Sequence, residues 1–175
     1  MKNIENGPGG IKVFIPKIFK DNRGYFFESL NVKKLNNILK KKIIIKQSNV
    51  SYSKKNVFRG FHFQKYPFAQ EKFIRVLHGK ILDILVSIDK KSKNYLDIFY
   101  YELSKDNKKI LYVPKEFAHG FLVLSKNASI EYFVTNHYSK KHERNINIFD
   151  KRIKIDKKIL QKKLIMSAKD KISNF

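Results

Sequence analysis

Residues 73–88 read FIRVLHGKILDILVSI, a run dense in Ile, Leu and Val and broken once, at His78-Gly79. Such a composition fits a pleated, packed surface, and a glycine in its middle marks a turn, so the run predicts two consecutive strands. Its second half, residues 81–88 (ILDILVSI), is also the nearest approach to a membrane span. It falls short of the ~20 apolar residues a bilayer requires, and Asp83 interrupts it. Working outward, strands are predicted at 56–64, 96–103, 110–113, 120–124 and 129–137, and upstream at 43–50, 25–28 and 11–18. Asp21-Asn22-Arg23-Gly24 supplies a turn. Short strands at this spacing predict an antiparallel sandwich or barrel. Helical spacing occurs in Asn31–Lys42, where Val32, Leu35, Ile38 and Leu39 recur, and a second helix is expected within 156–170. Residues 7–10 (GPGG) read as a flexible lead-in, because the strand before and lysine after that a phosphate loop needs are missing. With no repeat, linker or boundary in view, residues 1–175 are expected to form a single domain.

Composition narrows the function classes. The chain is 42% hydrophobic and 14% aromatic, enough for a packed core, and has no cysteine. Thiolate metal sites, disulfides and a cysteine nucleophile are thereby excluded, in keeping with a cytoplasmic setting. The polar first ten residues contain no apolar signal-peptide core, so no membrane association is expected. The net charge of +23 raises the question of a nucleic-acid partner. Its lysine runs are spread along the chain, from Lys40–Lys42 to Lys162-Lys163, rather than gathered in one stretch. We read them as a solvated surface without nucleic-acid function, whose field would nonetheless steer an anionic small molecule.

Strand alternation then sorts the chemistry-bearing side chains. His62 and Gln64 share a face with Phe58 and Gly60, and Arg59 falls on the other face unless Gly60 forms a bulge, which is the expectation here. Lys72 shares a row with Ile74 and Val76, and Tyr132 one with Ile130 and Val134. A histidine, a lysine and a tyrosine are the parts needed to abstract a proton beside a ketone: a base, a cation for the enolate and an acid. Asp170 is available to orient the imidazole of His62. His119 supports His62 or contacts substrate, and a metal is not expected, because the His-x-His position is occupied by His62-Phe63-Gln64 and no glutamate follows at the expected spacing.

Six motifs occur in order: Asp21-x-Arg23-Gly24-x-Phe26-x-Glu28, Gln47-Ser48-Asn49-x-Ser51, Arg59-Gly60-Phe61-His62-Phe63-Gln64, Gln70-x-Lys72, Pro114-x-x-Phe117-Ala118-His119-Gly120-Phe121 and Ser167-x-Lys169-Asp170. Together they resemble the dTDP-4-dehydrorhamnose 3,5-epimerase family over essentially the whole chain. The resemblance implies a mainly β, cupin-like double-stranded β-helix jelly roll with a few short helices. It also implies a homodimer, a nucleotide-sugar substrate and no metal or organic cofactor. On the same ground His62 is the base, Asp170 its partner, Tyr132 the acid and Lys72 the group beside the C4 carbonyl. Arg23, Glu28, Gln47, Ser48, Asn49, Arg59, His119, Glu143 and Lys169 fall on substrate-binding positions, Arg23 and Glu28 as contributions to a partner's site. Tyr138 falls where the family stacks a residue on thymine. A relative that inverts only C3, a non-catalytic binding module and a metal-dependent cupin remain open on the residues alone.

Overall fold

The structure, a computed structural model, describes residues 3–175. Its strands are β1 (Asn3–Asn6), β2 (Lys12–Ile15), β3 (Ile18–Asp21), β4 (Gly24–Phe27), β5 (Gln47–Lys54), β6 (Phe58–Gln64), β7 (Lys72–His78), β8 (Lys80–Ser87), β9 (Ile98–Ser104), β10 (Ile110–Val113), β11 (Phe117–Val123), β12 (Asn127–Val134) and β13 (Glu143–Asn145). Two short helices accompany them, α1 (Val32–Leu39) and α2 (Lys157–Leu160). One sheet runs β1-β2-β10-β7-β12-β5 and a second β13-β6-β11-β8-β9, all antiparallel, with β3 and β4 forming a separate hairpin. From β5 to β8 each successive strand enters the opposite sheet, and from β9 to β12 the chain does so again, the winding of a double-stranded β-helix.

The packing follows from alternation. Ile74, Val76, Leu111, Val113 and Ile130 of the first sheet meet Ile81, Leu85, Phe121 and Val123 of the second in one buried cluster. The outer face of the second sheet buries Phe58, Phe61, Ile84 and Leu122 under the C-terminal segment, through Ile146, Ile153, Ile155 and Ile159. Helix α1 starts at Asn31, whose side chain accepts from the Lys34 amide, and ends on Lys40 in the left-handed conformation. Its Leu35 closes over Phe14 and Phe73 on the outer face of the first sheet. At His78-Gly79 the run 73–88 breaks as expected. Gly79 has φ +78, and a Cβ there would lie 2.1 Å from the Asn127 carbonyl oxygen, so only glycine fits the turn.

Several expectations are corrected. The run 43–50 enters the sheet only at Gln47, because Ile43 and Ile45 pack beside α1. The stretch 11–18 holds only β2, which stops at Ile15 before Pro16, and β3 starts at Ile18 and runs on to Asp21. The helix expected over 156–170 shrinks to Lys157–Leu160. Beyond it Leu164 and Met166 pack inward on either side of exposed Ile165, a period of two, and Ile165 bridges Val57 in extended conformation. Residues 7–10 are not a loose lead-in: β1 pairs with β2, and the Gly7 amide donates to the Ile11 carbonyl at 2.8 Å. The first two residues of the polar N-terminus lie outside the described residues. No described helix is long and apolar enough to cross a membrane.

Candidate active site

A cavity of about 300 Å³ opens between the two sheets. The first sheet contributes Gln47 and Asn49 from β5, Lys72 from β7 and Tyr132 from β12. The second contributes Arg59 and His62 from β6, His119 from β11 and Glu143 from β13; the loop before β13 adds Tyr138, and a 3-10 turn at Lys169–Lys171 adds Lys169. His62 and Tyr132 therefore look into one space from opposite walls. Arg59 joins His62 because of Gly60: the register of β6 against β11 shifts between His119↔His62 and Phe121↔Arg59, with Gly60 at φ +123. The bulge read from the sequence is present. A Cβ on Gly60 would meet the Gly120 backbone at 2.5 Å, so the close crossing of β6 and β11 admits no side chain.

The ionisable groups are organised in pairs. His62 Nε2 lies 2.6 Å from Asp170 Oδ1, and the Ser167 hydroxyl donates to Asp170 Oδ2 at 2.8 Å. Burial works to raise the Asp170 carboxyl, yet the hydrogen bonds from His62 and Ser167 prevail and hold it below the usual carboxylate range. With the carboxylate accepting from Nε2–H, the imidazole lone pair resides on Nδ1. His119 Nε2 meets Asp83 Oδ2 at 2.8 Å in the interior, and burial pushes this imidazole down despite the adjacent carboxylate. Lys72 Nζ donates to the His62 carbonyl at 3.2 Å. Its burial brings the ammonium down to about 8, opposed by Asp83 and Glu143. Burial pushes the Tyr132 phenol up, so the hydroxyl keeps its proton.

The rim is built around Glu143. Its Oε2 accepts from the Tyr138 hydroxyl at 2.9 Å and its Oε1 pairs with Lys169 at 2.5 Å, leaving the Tyr138 ring half exposed at the mouth. Gln64 carries the loop behind it, donating to the Phe68 and His137 carbonyls and accepting from the Ser139 amide. The Arg59 Nε donates to Ser53 Oγ at 2.9 Å, which aims the guanidinium along the wall.

Three expected binding residues stand elsewhere in this chain. Ser48 alternates with Gln47 and Asn49 and so faces the outer side of the sheet, where it donates to Glu131 at 3.2 Å. Arg23 is at the exposed tip of the β3–β4 hairpin, paired with Asp21 at 2.6 Å, and Glu28 pairs with Lys34 and Asn31. Neither lines the cavity. Conversely, the sequence reading missed the role of Asp83. Its signal was there, a carboxylate in the otherwise apolar strand 81–86, which folds to full burial behind His119. Among the described residues no three His, Asp or Glu side chains gather as a metal site. His62 and His119, neighbours across the β6–β11 ladder, each direct Nε2 at a different carboxylate.

A family model described as dTDP-4-dehydrorhamnose 3,5-epimerase matches residues 8–175. The chain belongs to this family. It is 42% identical over 146 residues to the dTDP-4-dehydrorhamnose 3,5-epimerase of Escherichia coli (strain K12), covering 83% of this chain and 79% of that protein. The methanogen Methanothermobacter thermautotrophicus has a relative of the same name, 34% identical over 170 residues, covering 96% of this chain and 90% of that one. Among solved structures, the epimerase of Legionella pneumophila Philadelphia 1 in complex with dTDP-4-keto-L-rhamnose superposes with a TM-score of 0.89. It is 36% identical, with 96% of this chain and 89% of that chain covered. The Elizabethkingia anophelis NUHP1 enzyme gives 0.91 at 35% identity, with 98% and 94% covered. The cupin-like jelly roll expected from the sequence is thus the fold of this chain.

Proposed function

We propose that this chain converts dTDP-4-dehydro-6-deoxy-D-glucose to dTDP-4-dehydro-L-rhamnose by inverting C3 and C5 in turn. The reading is supported above all by one observation: a carboxylate-tethered imidazole in one sheet faces a protonated phenol and a buried ammonium in the other. His62 Nδ1 takes the proton from the carbon next to the C4 ketone, and the electron pair moves onto the ketone oxygen. The Lys72 ammonium stabilises the enolate that forms, in a site where water screens it poorly. Tyr132 then gives a proton to the same carbon from the opposite face, which inverts it. The second carbon flanks the same ketone and is served by the same three groups after solvent has reset them. Tyr138 stacks on the thymine, while Arg59, Lys169 and the strongly positive surface attract the diphosphate. Gln47, Asn49, His119 and Glu143 hydrogen-bond the sugar. The Arg23 and Glu28 of a second copy complete the site in a homodimer, as befits a hairpin that holds both away from the chain's own cavity and exposes Phe19, Tyr25 and Phe26.

Proton NMR of the reaction in deuterium oxide tests this. Deuterium is expected at both C3 and C5 of the product; label confined to C3 would contradict inversion at C5, and no label would eliminate the enolate. The same assay separates the acid from the base. Tyr132→Phe is expected to slow product formation about 10²-fold. Wash-in of deuterium should be reduced less, because enolate formation and return of the proton to its original face need only His62. Equal losses in the two rates would remove Tyr132 from the role of acid.

A further inference from the structure

We infer that Ser167 is the positioning residue of the base, the third member of a hydrogen-bonded chain His62–Asp170–Ser167. The inference rests on the assignment of His62 as base. Asp170 is 3% exposed and uses both carboxylate oxygens, Oδ1 toward His62 Nε2 at 2.6 Å and Oδ2 toward the Ser167 hydroxyl at 2.8 Å. Among the described residues Ser167 is the donor to Oδ2. The same hydroxyl oxygen accepts from the Asp170 amide at 3.2 Å, so serine and aspartate close a small ring that sets the aspartate side-chain torsions.

The backbone around this ring is held independently. Before it, the Phe58 amide donates to the Ile165 carbonyl and the Ile165 amide to the Asn56 carbonyl, fastening the chain to the start of β6. After it, Asn145 exchanges hydrogen bonds with Asn174 and donates to the Lys169 carbonyl, and Asn145 stands opposite His62 in the β13–β6 ladder. Both anchors are referenced to the strand that carries the imidazole. They fix where the Asp170 backbone lies but not how its carboxylate is turned, and that remaining freedom is what Ser167 removes. Without it, Oδ2 is left buried with no donor, and the carboxylate gains by rotating away from His62 toward water. The imidazole then loses both its orientation and the acceptor that keeps its lone pair on Nδ1. Lys169 and the Tyr138–Glu143 rim do not depend on the serine hydroxyl, so substrate affinity should be spared.

The test compares the full chain with Ser167→Ala, Ser167→Thr and His62→Ala, measuring kcat, KM and thermal melting of each. Ser167→Ala is expected to lower kcat about 10- to 100-fold with KM within about twofold and only a small drop in melting temperature, from the lost hydrogen bonds to Asp170. Ser167→Thr keeps the hydroxyl and is expected to restore kcat to within about threefold of the parent. An inactive His62→Ala beside a fully active Ser167→Ala would overturn this inference and leave the base intact. An active His62→Ala would overturn the base assignment, and the inference with it. A Ser167→Ala that loses melting temperature and KM as much as kcat, with no rescue by threonine, would make Ser167 merely structural and overturn the inference.

Discussion

Replacing His62 by alanine is expected to lower turnover about 10⁴-fold, the upper range for a positioned acid–base group, while the protein still folds. The fold survives because His62 is half-buried and the pairing of β6 with β11 and β13 runs through backbone groups that alanine retains. With His62 as the proposed base, the chemistry is not expected to survive, because no second imidazole stands in. His119 is the cross-strand neighbour, but it is locked to Asp83 and packed beside Phe121 in the interior. The variant also loses the hydrogen bond from His62 that helps hold the Asp170 carboxyl down. A carboxyl depressed in the folded state contributes stability that is present above its unfolded value and lost as pH falls through the folded one. His62→Ala should therefore show a smaller loss of melting temperature than the parent when acidified below the ordinary carboxylate range. Deuterium exchange at C3 in the NMR assay reports the catalytic loss directly. Near-normal exchange would remove His62 from the mechanism.

Much of this site was readable because β-strands have a period of two. The rows containing Lys72 and Tyr132, and the bulge that turns Arg59 toward His62, all follow from alternation and from a glycine in a strand. The same rule, applied to Gln47-Ser48-Asn49, already puts Ser48 on the outer face; the family pattern alone does not sort neighbours by face. What alternation cannot supply is distance between segments far apart in the chain. Asp170 reaches His62 across 108 positions through a C-terminal segment whose path is set by burial of Ile153, Ile155 and Ile159 on the second sheet. The helix expected within 156–170 is cut short because extended chain buries Leu164 and Met166 against that sheet, and tertiary burial outweighs local propensity. The short β1 and β13 strands went unread because three or four polar residues carry too little pattern to reveal a strand. Asp83 shows the reverse case: a lone acid in an apolar strand is a visible anomaly, but only the fold reveals that His119 is its partner.

Lys72→Met is expected to cost about 10²- to 10³-fold in kcat, the range for removing one donor to a developing oxyanion, while making the protein more stable at neutral pH. The two signs have one cause. Burial brings the Lys72 ammonium down to about 8, so below that pH the folded chain carries a charge in a place that disfavours it. A lysine depressed in the folded state costs stability in full below its folded value. The cost shrinks as pH rises from about 8 toward the unfolded value of about 10.5, because there the unfolded chain binds the extra proton. Methionine fills similar space without charge, so its melting temperature should exceed the parent's at pH 7, and the difference should close as the buffer is made alkaline. Activity moves the other way. In the proposed mechanism it is the ammonium, not the amine, that stabilises the enolate, so the parent's kcat/KM should decline above pH 8, and the residual activity of Lys72→Met should lack that decline. A structural lysine would give the opposite pattern, a less stable methionine variant with nearly full turnover. Melting curves at two pH values and one kcat/KM profile distinguish these cases, because a group kept at a cost to the fold and needed for turnover is held there by the reaction it serves.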